Sequence, residues 1–154
     1  MSDKLEFIHI TKTGGTSIEE WGKKNNFKWG HRNNEYLKKF NLKKFKRKSR
    51  WHIPSIYFET NPYIGNETFM VVRNPYSRLI SEYYCPWSGC KKGNDNTIDG
   101  FNIWIQNLIK NDEIVSGLPQ HEYLPVDNIL YFENLQNDFT NLLKKYEISF
   151  EPTL

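Results

Sequence analysis

Six consecutive residues, Lys12-Thr13-Gly14-Gly15-Thr16-Ser17, combine a mobile cation, two glycines and two hydroxyls. Phe7, Ile8 and Ile10 before them predict a short buried strand, and Ile18 and Trp21 after them start an amphipathic helix. Adjacent glycines allow a tight turn and let backbone approach a ligand with no Cβ in the way. Thr16 and Ser17 suit a helix start, where side-chain oxygens cap open N–H groups. Those N–H groups and the positive end of the helix dipole form an anion site, with Lys12 at its rim. The stretch therefore predicts a loop for a phosphate-like or sulfate-like group, although a strand, a Gly-Gly turn and a helix also occur together where nothing binds. It is not a Walker A loop, because Lys12 precedes the glycines rather than following them.

A second candidate lies where Thr68 to Val72 (TFMVV) ends in Arg73-Asn74-Pro75. The apolar, β-branched run predicts a central strand covered on both faces. Pro75 suits the first position of a helix that carries Leu79, Ile80, Tyr83 and Tyr84. Ligands of parallel sheets bind beyond the carboxyl ends of the strands. A permanently charged, planar guanidinium at such an end suits a second phosphate, and Ser81 adds a hydroxyl. The plainer role for Arg73 is a structural salt bridge.

The remaining elements must position these groups. Phe101, Trp104, Ile105, Leu108 and Ile109 repeat at helical spacing, Asn128 to Phe132 predicts another buried strand, and Asn134 is placed to cap a last helix with Leu135, Phe139, Leu142 and Leu143. Between Asn26 and Arg50 only short helical pieces are expected; Cys85 to Asp99 reads as an exposed loop, and Ser116 to Pro125 as irregular. Strands alternating with helices predict an α/β, three-layer domain with a central, mainly parallel sheet. The 154 residues, 38% hydrophobic and 16% aromatic, suffice for one such core. No apolar run approaches the roughly 20 residues of a membrane span, and MSDKLEF holds no secretion signal, so a soluble, cytoplasmic chain is expected.

The formal charge of +3 hides an asymmetry: residues 1–94 carry 18 basic and 8 acidic residues, and residues 95–154 carry 3 and 10. Eight basic residues fall between Lys38 and Arg50, interleaved with Phe40, Leu42 and Phe45. Such a run is either a solvated face or an attractor for a polyanion. Cys85 and Cys90 enclose four residues; reduced thiols are the expectation in a chain without an export signal, and no further ligand nearby suggests a metal.

KTGGTS followed by VVRNPYSRLISEYY (Val71 to Tyr84) resembles the sulfotransferases that use 3′-phosphoadenosine 5′-phosphosulfate, most closely the carbohydrate, heparan sulfate 2-O-sulfotransferase-like branch. Pro119-Gln120 and Phe132-Glu133-Asn134-Leu135 are weaker points of likeness. The resemblance implies a P-loop-NTPase-like sulfotransferase fold in a single domain over 1–154, without the C-terminal segment of larger members. It also implies that Lys12, Thr13, Gly14, Gly15, Thr16 and Ser17 hold the 5′-phosphosulfate, and Arg73 and Ser81 the 3′-phosphate. Arg78 fits the same pattern, with packing an equal alternative. Thr11 departs from it, standing where members often carry Pro.

Sulfuryl transfer, like phosphoryl transfer, rests on positioning and on donors aimed at developing charge. Lys12 is the candidate to stabilise the leaving-group oxygen, with no metal required, and the strand ends in Arg73 rather than a Mg²⁺-binding Asp. His52, beside Pro54 and similar to the family's catalytic histidine, is the candidate general base for the acceptor hydroxyl. Glu59 is the reserve base, and His9, inside a strand, is expected to be structural. The expected acceptor is a saccharide, steered by Lys38 to Arg50 if anionic, with nucleic acid not favoured. Two alternatives stand beside this reading: a nucleotide-dependent phosphotransferase with an atypical phosphate loop, and a non-catalytic polyanion-binding module.

Overall fold

Three strands form one parallel sheet in the computed structural model, which describes residues 5–45, 49–86, 96–110 and 117–148. They lie in the order β1 (Leu5–Ile8), β2 (Glu67–Val72), β3 (Asn128–Tyr131). Phe7 pairs with Phe69, and Val72 with Tyr131, so the carboxyl ends of all three strands lie at one edge. Helix α1 (Gly15–Lys24) follows β1, α2 (Asn34–Leu37) comes next, and α3 (Pro75–Tyr83) follows β2. Then come α4 (Ile98–Lys110) and, after β3, α5 (Leu135–Lys145).

The pleat sends alternate side chains to opposite faces. Leu5, Phe7, Phe69, Val71 and Leu130 join Ile18 and Trp21 of α1 and Phe139, Leu142 and Leu143 of α5 in one core layer. Ile8 and Met70 point the other way, onto Leu37, Phe45, Ile53, Phe58 and Tyr123. That second layer is mostly irregular chain with three-residue to four-residue turns of helix at Gly30–Asn33, α2, Ser55–Tyr57 and Gln120–Tyr123. The weak apolar periodicity of 26–65, broken by Pro54 and Pro62, accounts for the absence of a long helix among the described residues there. Tyr83 of α3 packs with Trp104 and Leu108 of α4 in a smaller cluster.

β2 is the central strand that its apolar run predicted, and Pro75 opens α3 with the Asn74 carboxamide accepting from the N–H groups of Tyr76 and Ser77. Some expectations shift. β3 pairs only with β2 among the described residues, so it is an edge strand in which Leu130 alone is buried. Asn134 stands at the start of α5 but caps nothing; its carboxamide bonds to Asp138 and Asn137 instead. Cys85 is buried, with Sγ 3.8 Å from Glu82 Oε1, rather than exposed. Cys90 and its proposed partnership lie outside the described residues. Within those residues, no helix is long and apolar enough to cross a membrane.

Candidate active site

Between β1 and α1 the chain makes two left-handed residues in close succession, Lys12 (φ 63°) and Gly14 (φ 86°). For glycine this is unstrained; for lysine it costs on the order of 1 kcal/mol. The neighbours hold it. Thr13 Oγ1, fully buried, donates to the Ile10 carbonyl at 2.8 Å. Arg78, buried in α3, donates through Nε to the Thr11 carbonyl at 2.9 Å, through Nη2 to Thr11 Oγ1 at 3.2 Å and through Nη1 to the Leu118 carbonyl at 3.1 Å. Thr11 thus gives Arg78 an acceptor that a proline could not, and Arg78 serves as a brace beneath the loop.

Helix α1 begins with Gly14 as its cap residue and no side-chain cap. This corrects the expectation for Thr16 and Ser17: both lie inside the first turn, exposed, and cap nothing. The Gly14 carbonyl takes the N–H of Ser17 at 3.1 Å and of Ile18 at 3.5 Å, so the helix itself makes no use of the N–H groups of Gly15 and Thr16. Beyond the expected turn, the glycines make room for neighbouring side chains. A Cβ on Gly15 would fall 2.0 Å from His9 Nε2, and one on Gly14 3.1 Å from Phe132 and Leu135. The room they leave is filled by protein side chains, which brings His9 and the end of β3 against the loop.

Arg73, at the end of β2, reaches this loop. Its Nη1 donates to the Lys12 carbonyl at 3.2 Å and its Nε to Ser77 Oγ at 3.1 Å, while the guanidinium lies 4.2 Å from the centre of the Phe132 ring. Two of its five N–H donors are spent this way, leaving the planar fork with capacity for an anion. Gln120 grips the backbone of Arg73 at both ends: Oε1 accepts its N–H at 2.9 Å and Nε2 donates to its carbonyl at 2.8 Å. Glu133 Oε1 accepts the next N–H, that of Asn74, at 2.8 Å. Ser77 therefore sits closer to the guanidinium than Ser81, which lies a turn further along α3 and half-buried.

His52 belongs to the same edge. It donates from Nδ1 to the His9 carbonyl at 3.0 Å, which in the neutral ring leaves the basic lone pair on Nε2. Its own carbonyl accepts from Tyr123 at 2.9 Å, and its ring meets His9 edge-on with centroids 4.3 Å apart. Glu59 is exposed beside the Leu42–Phe58 bridge, where its N–H bonds to the Asn41 carbonyl.

A sequence model of the sulfotransferase family matches residues 1–149. The chain belongs to the sulfotransferase family. It is accordingly a sulfuryl-transferring enzyme, and members of this family generally draw the sulfuryl group from 3′-phosphoadenosine 5′-phosphosulfate. No curated protein and no solved structure gives a significant match. In this sulfotransferase, among the described residues, no group of three or more His, Cys, Asp or Glu is arranged to hold a metal ion. A cavity of about 330 Å³ lined by Asn61, Tyr63, Thr68 and Asp127 lies toward the amino ends of β2 and β3, away from the loop.

Two parts of the site gave little sequence signal. Gln120 stood out only as a short point of likeness, and its clamp on Arg73 depends on a contact 47 residues apart. Glu19, one turn into α1, carries no local signal in the sequence, yet it is buried against His9 and His31.

Proposed function

We propose that this sulfotransferase binds 3′-phosphoadenosine 5′-phosphosulfate across the Lys12–Ser17 loop and Arg73, and passes its sulfuryl group to a carbohydrate hydroxyl. One observation carries the reading: Arg73 Nη1 lies 3.2 Å from the Lys12 carbonyl, so two motifs 61 residues apart share one surface at the ends of adjacent parallel strands. The donor has an anion at each end of its nucleoside, and this surface offers two matching donor sets. The uncapped first turn of α1 and Lys12 suit the 5′ end, and Arg73 suits the 3′-phosphate. Ser81, with Ser77 nearer to Arg73, supplies hydroxyls on the same helix.

When bound, the donor supplies a sulfuryl group whose bond to the 5′-phosphate oxygen breaks as a bond to the acceptor oxygen forms. Lys12 and the loop N–H groups stabilise the charge that the leaving oxygen gains. His52, with its lone pair on Nε2, takes the proton that the acceptor hydroxyl loses. The Arg78 brace holds the loop that carries Lys12, where positioning contributes to rate, and the Gln120 clamp holds the guanidinium assigned to the 3′-phosphate. A saccharide acceptor rests on the likeness to the carbohydrate branch and on the basic segment. Part of that segment is structurally engaged: Lys44 lies over the Tyr57 ring, Tyr57 bonds to Glu122 beside Gln120, and Arg50 donates to the carbonyls of Leu37, Lys38 and Phe40. The first two contacts tie the segment to the turn that carries the Arg73 clamp. Lys46–Lys48 lie outside the described residues.

Thermal unfolding should rise by several degrees with the product 3′-phosphoadenosine 5′-phosphate in the absence of Mg²⁺, and should not rise with ATP–Mg²⁺ at the same concentration. The reverse pattern favours a phosphotransferase. By calorimetry, Arg73→Ala should bind the bisphosphate about 10-fold or more weakly, the loss expected of hydrogen bonds to a charged group; equal affinity removes Arg73 from the site.

A further inference from the structure

Beneath the loop lies a group of titratable side chains that the mechanism above does not use. Glu19 of α1 is buried, and its two carboxylate oxygens face two imidazoles: Oε1 is 2.5 Å from His9 Nδ1, and Oε2 is 2.6 Å from His31 Nδ1. Oε1 also accepts the backbone N–H of His31 at 3.2 Å. A Cβ on Gly30 would fall 1.8 Å from Oε1, so the backbone at Gly30 closes over the carboxylate. Burial alone would push the Glu19 carboxyl up, but the hydrogen bonds from His9, then from His31, oppose it, and the group is held below its ordinary value. Glu19 is therefore an ionised acceptor.

We propose that Glu19 is a positioning residue for sulfuryl transfer, fixing the buried His9 ring against which the base His52 is oriented. The inference rests on the reading of His52 as the group that takes the acceptor proton. A carboxylate only accepts, so His9 carries its proton on Nδ1 and turns the Nε2 lone pair toward Gly15, at the positive end of α1. The opposite tautomer would aim an N–H at that positive end. Held this way, the ring stacks on Phe7 at 5.3 Å and presents itself edge-on to His52 at 4.3 Å. The carbonyl of the same residue fixes His52 Nδ1. One residue, His9, thus sets both the ring contact and the tautomer of the base, and Glu19 sets His9. His31, half-exposed, takes the remaining oxygen and adapts to it.

The test begins with the unsubstituted protein: imidazole ¹⁵N spectra should show His9 and His52 both protonated at Nδ1, and the other tautomer at either overturns the proposal. Glu19→Met, of similar length but unable to accept, should lower kcat about 10-fold or more, part of the 10²–10⁴ that a general base supplies. Its affinity for 3′-phosphoadenosine 5′-phosphate should stay within about threefold. Glu19→Gln should restore most of kcat, because its amide oxygen can replace Oε1 while its NH₂ faces a His31 that changes tautomer. Unchanged kcat in Glu19→Met, an equal fall in kcat and affinity, or a Glu19→Gln variant as impaired as Glu19→Met would each overturn the assignment. A chain that transfers no sulfate without substitution overturns the sulfate-transfer reading instead, and the imidazole spectra still judge the hold of Glu19 on His9.

Discussion

Lys12 and His52 sit at one sheet edge but are asked for different things, and the difference is measurable. Lys12 occupies a left-handed conformation that is maintained by the Arg73 and Thr13 bonds around it. Alanine at 12 keeps the same backbone strain, so Lys12→Ala isolates the loss of the ammonium. If that charge stabilises the leaving oxygen, turnover should fall about 100-fold or more while bisphosphate affinity changes far less. Unchanged turnover in a sulfate-transfer assay would take Lys12 out of the chemistry. His52→Ala should leave bisphosphate binding intact and abolish transfer, since the base touches the acceptor and not the nucleotide. Retained transfer would pass the base role elsewhere.

At the scale of elements, the sheet edge is assembled from the ends of all three strands, and Gln120 shows how. Beyond Val72 the chain has left the ladder, and the Gln120 carboxamide bonds to Arg73 on both sides as a neighbouring strand would. In Gln120→Ala the Arg73 N–H and carbonyl turn to water. Bisphosphate affinity should then fall about fivefold, the equivalent of one net hydrogen bond, with kcat at saturation little changed. If affinity is unaltered, the contacts of Arg73 with Phe132, Ser77 and the Lys12 carbonyl hold it without the clamp.

This also explains what could be read from the chain. The loop, the central strand, Pro75 and Arg73 were legible because each depends on neighbours in sequence: Gly-Gly, a β-branched run, a proline at the first helical position. The convergence of the two motifs followed from a rule about parallel strands. The Glu19–His9–His31 contacts were not legible, because nothing local distinguishes an acid on the buried side of an amphipathic helix from one facing water. What occupies the space beside the glycines was hidden for the same reason. What fills the space beside Gly15 is a histidine just past the end of β1, and only the fold brings it there.

For the whole molecule, stability should carry the mark of a second carboxyl, at the other end of β1. Glu6 opens toward the layer of irregular chain, where Asn33 Nδ2 donates to Oε2 at 3.1 Å and Tyr63 lies nearby. Burial pushes its carboxyl from 4.5 up to about 7. Below pH 4.5 the group is protonated folded and unfolded alike. Between 4.5 and about 7 the unfolded chain releases the proton and the folded one keeps it, so stability falls as pH rises, and above that window the loss is complete. Glu19 acts in the opposite sense, because its lowered value weakens the fold only as the solution is acidified past the ordinary carboxylate range. Glu6→Gln keeps an acceptor for Asn33 and removes the ionisation. The variant should therefore be more stable than the unsubstituted chain at pH 8, by at most about 3 kcal/mol, and should match it near pH 4.5. Denaturant titrations at both pH values decide this. A variant that loses as much stability as the unsubstituted chain between pH 4.5 and 8 would place the titrating group elsewhere and leave Glu6 ionised within the fold.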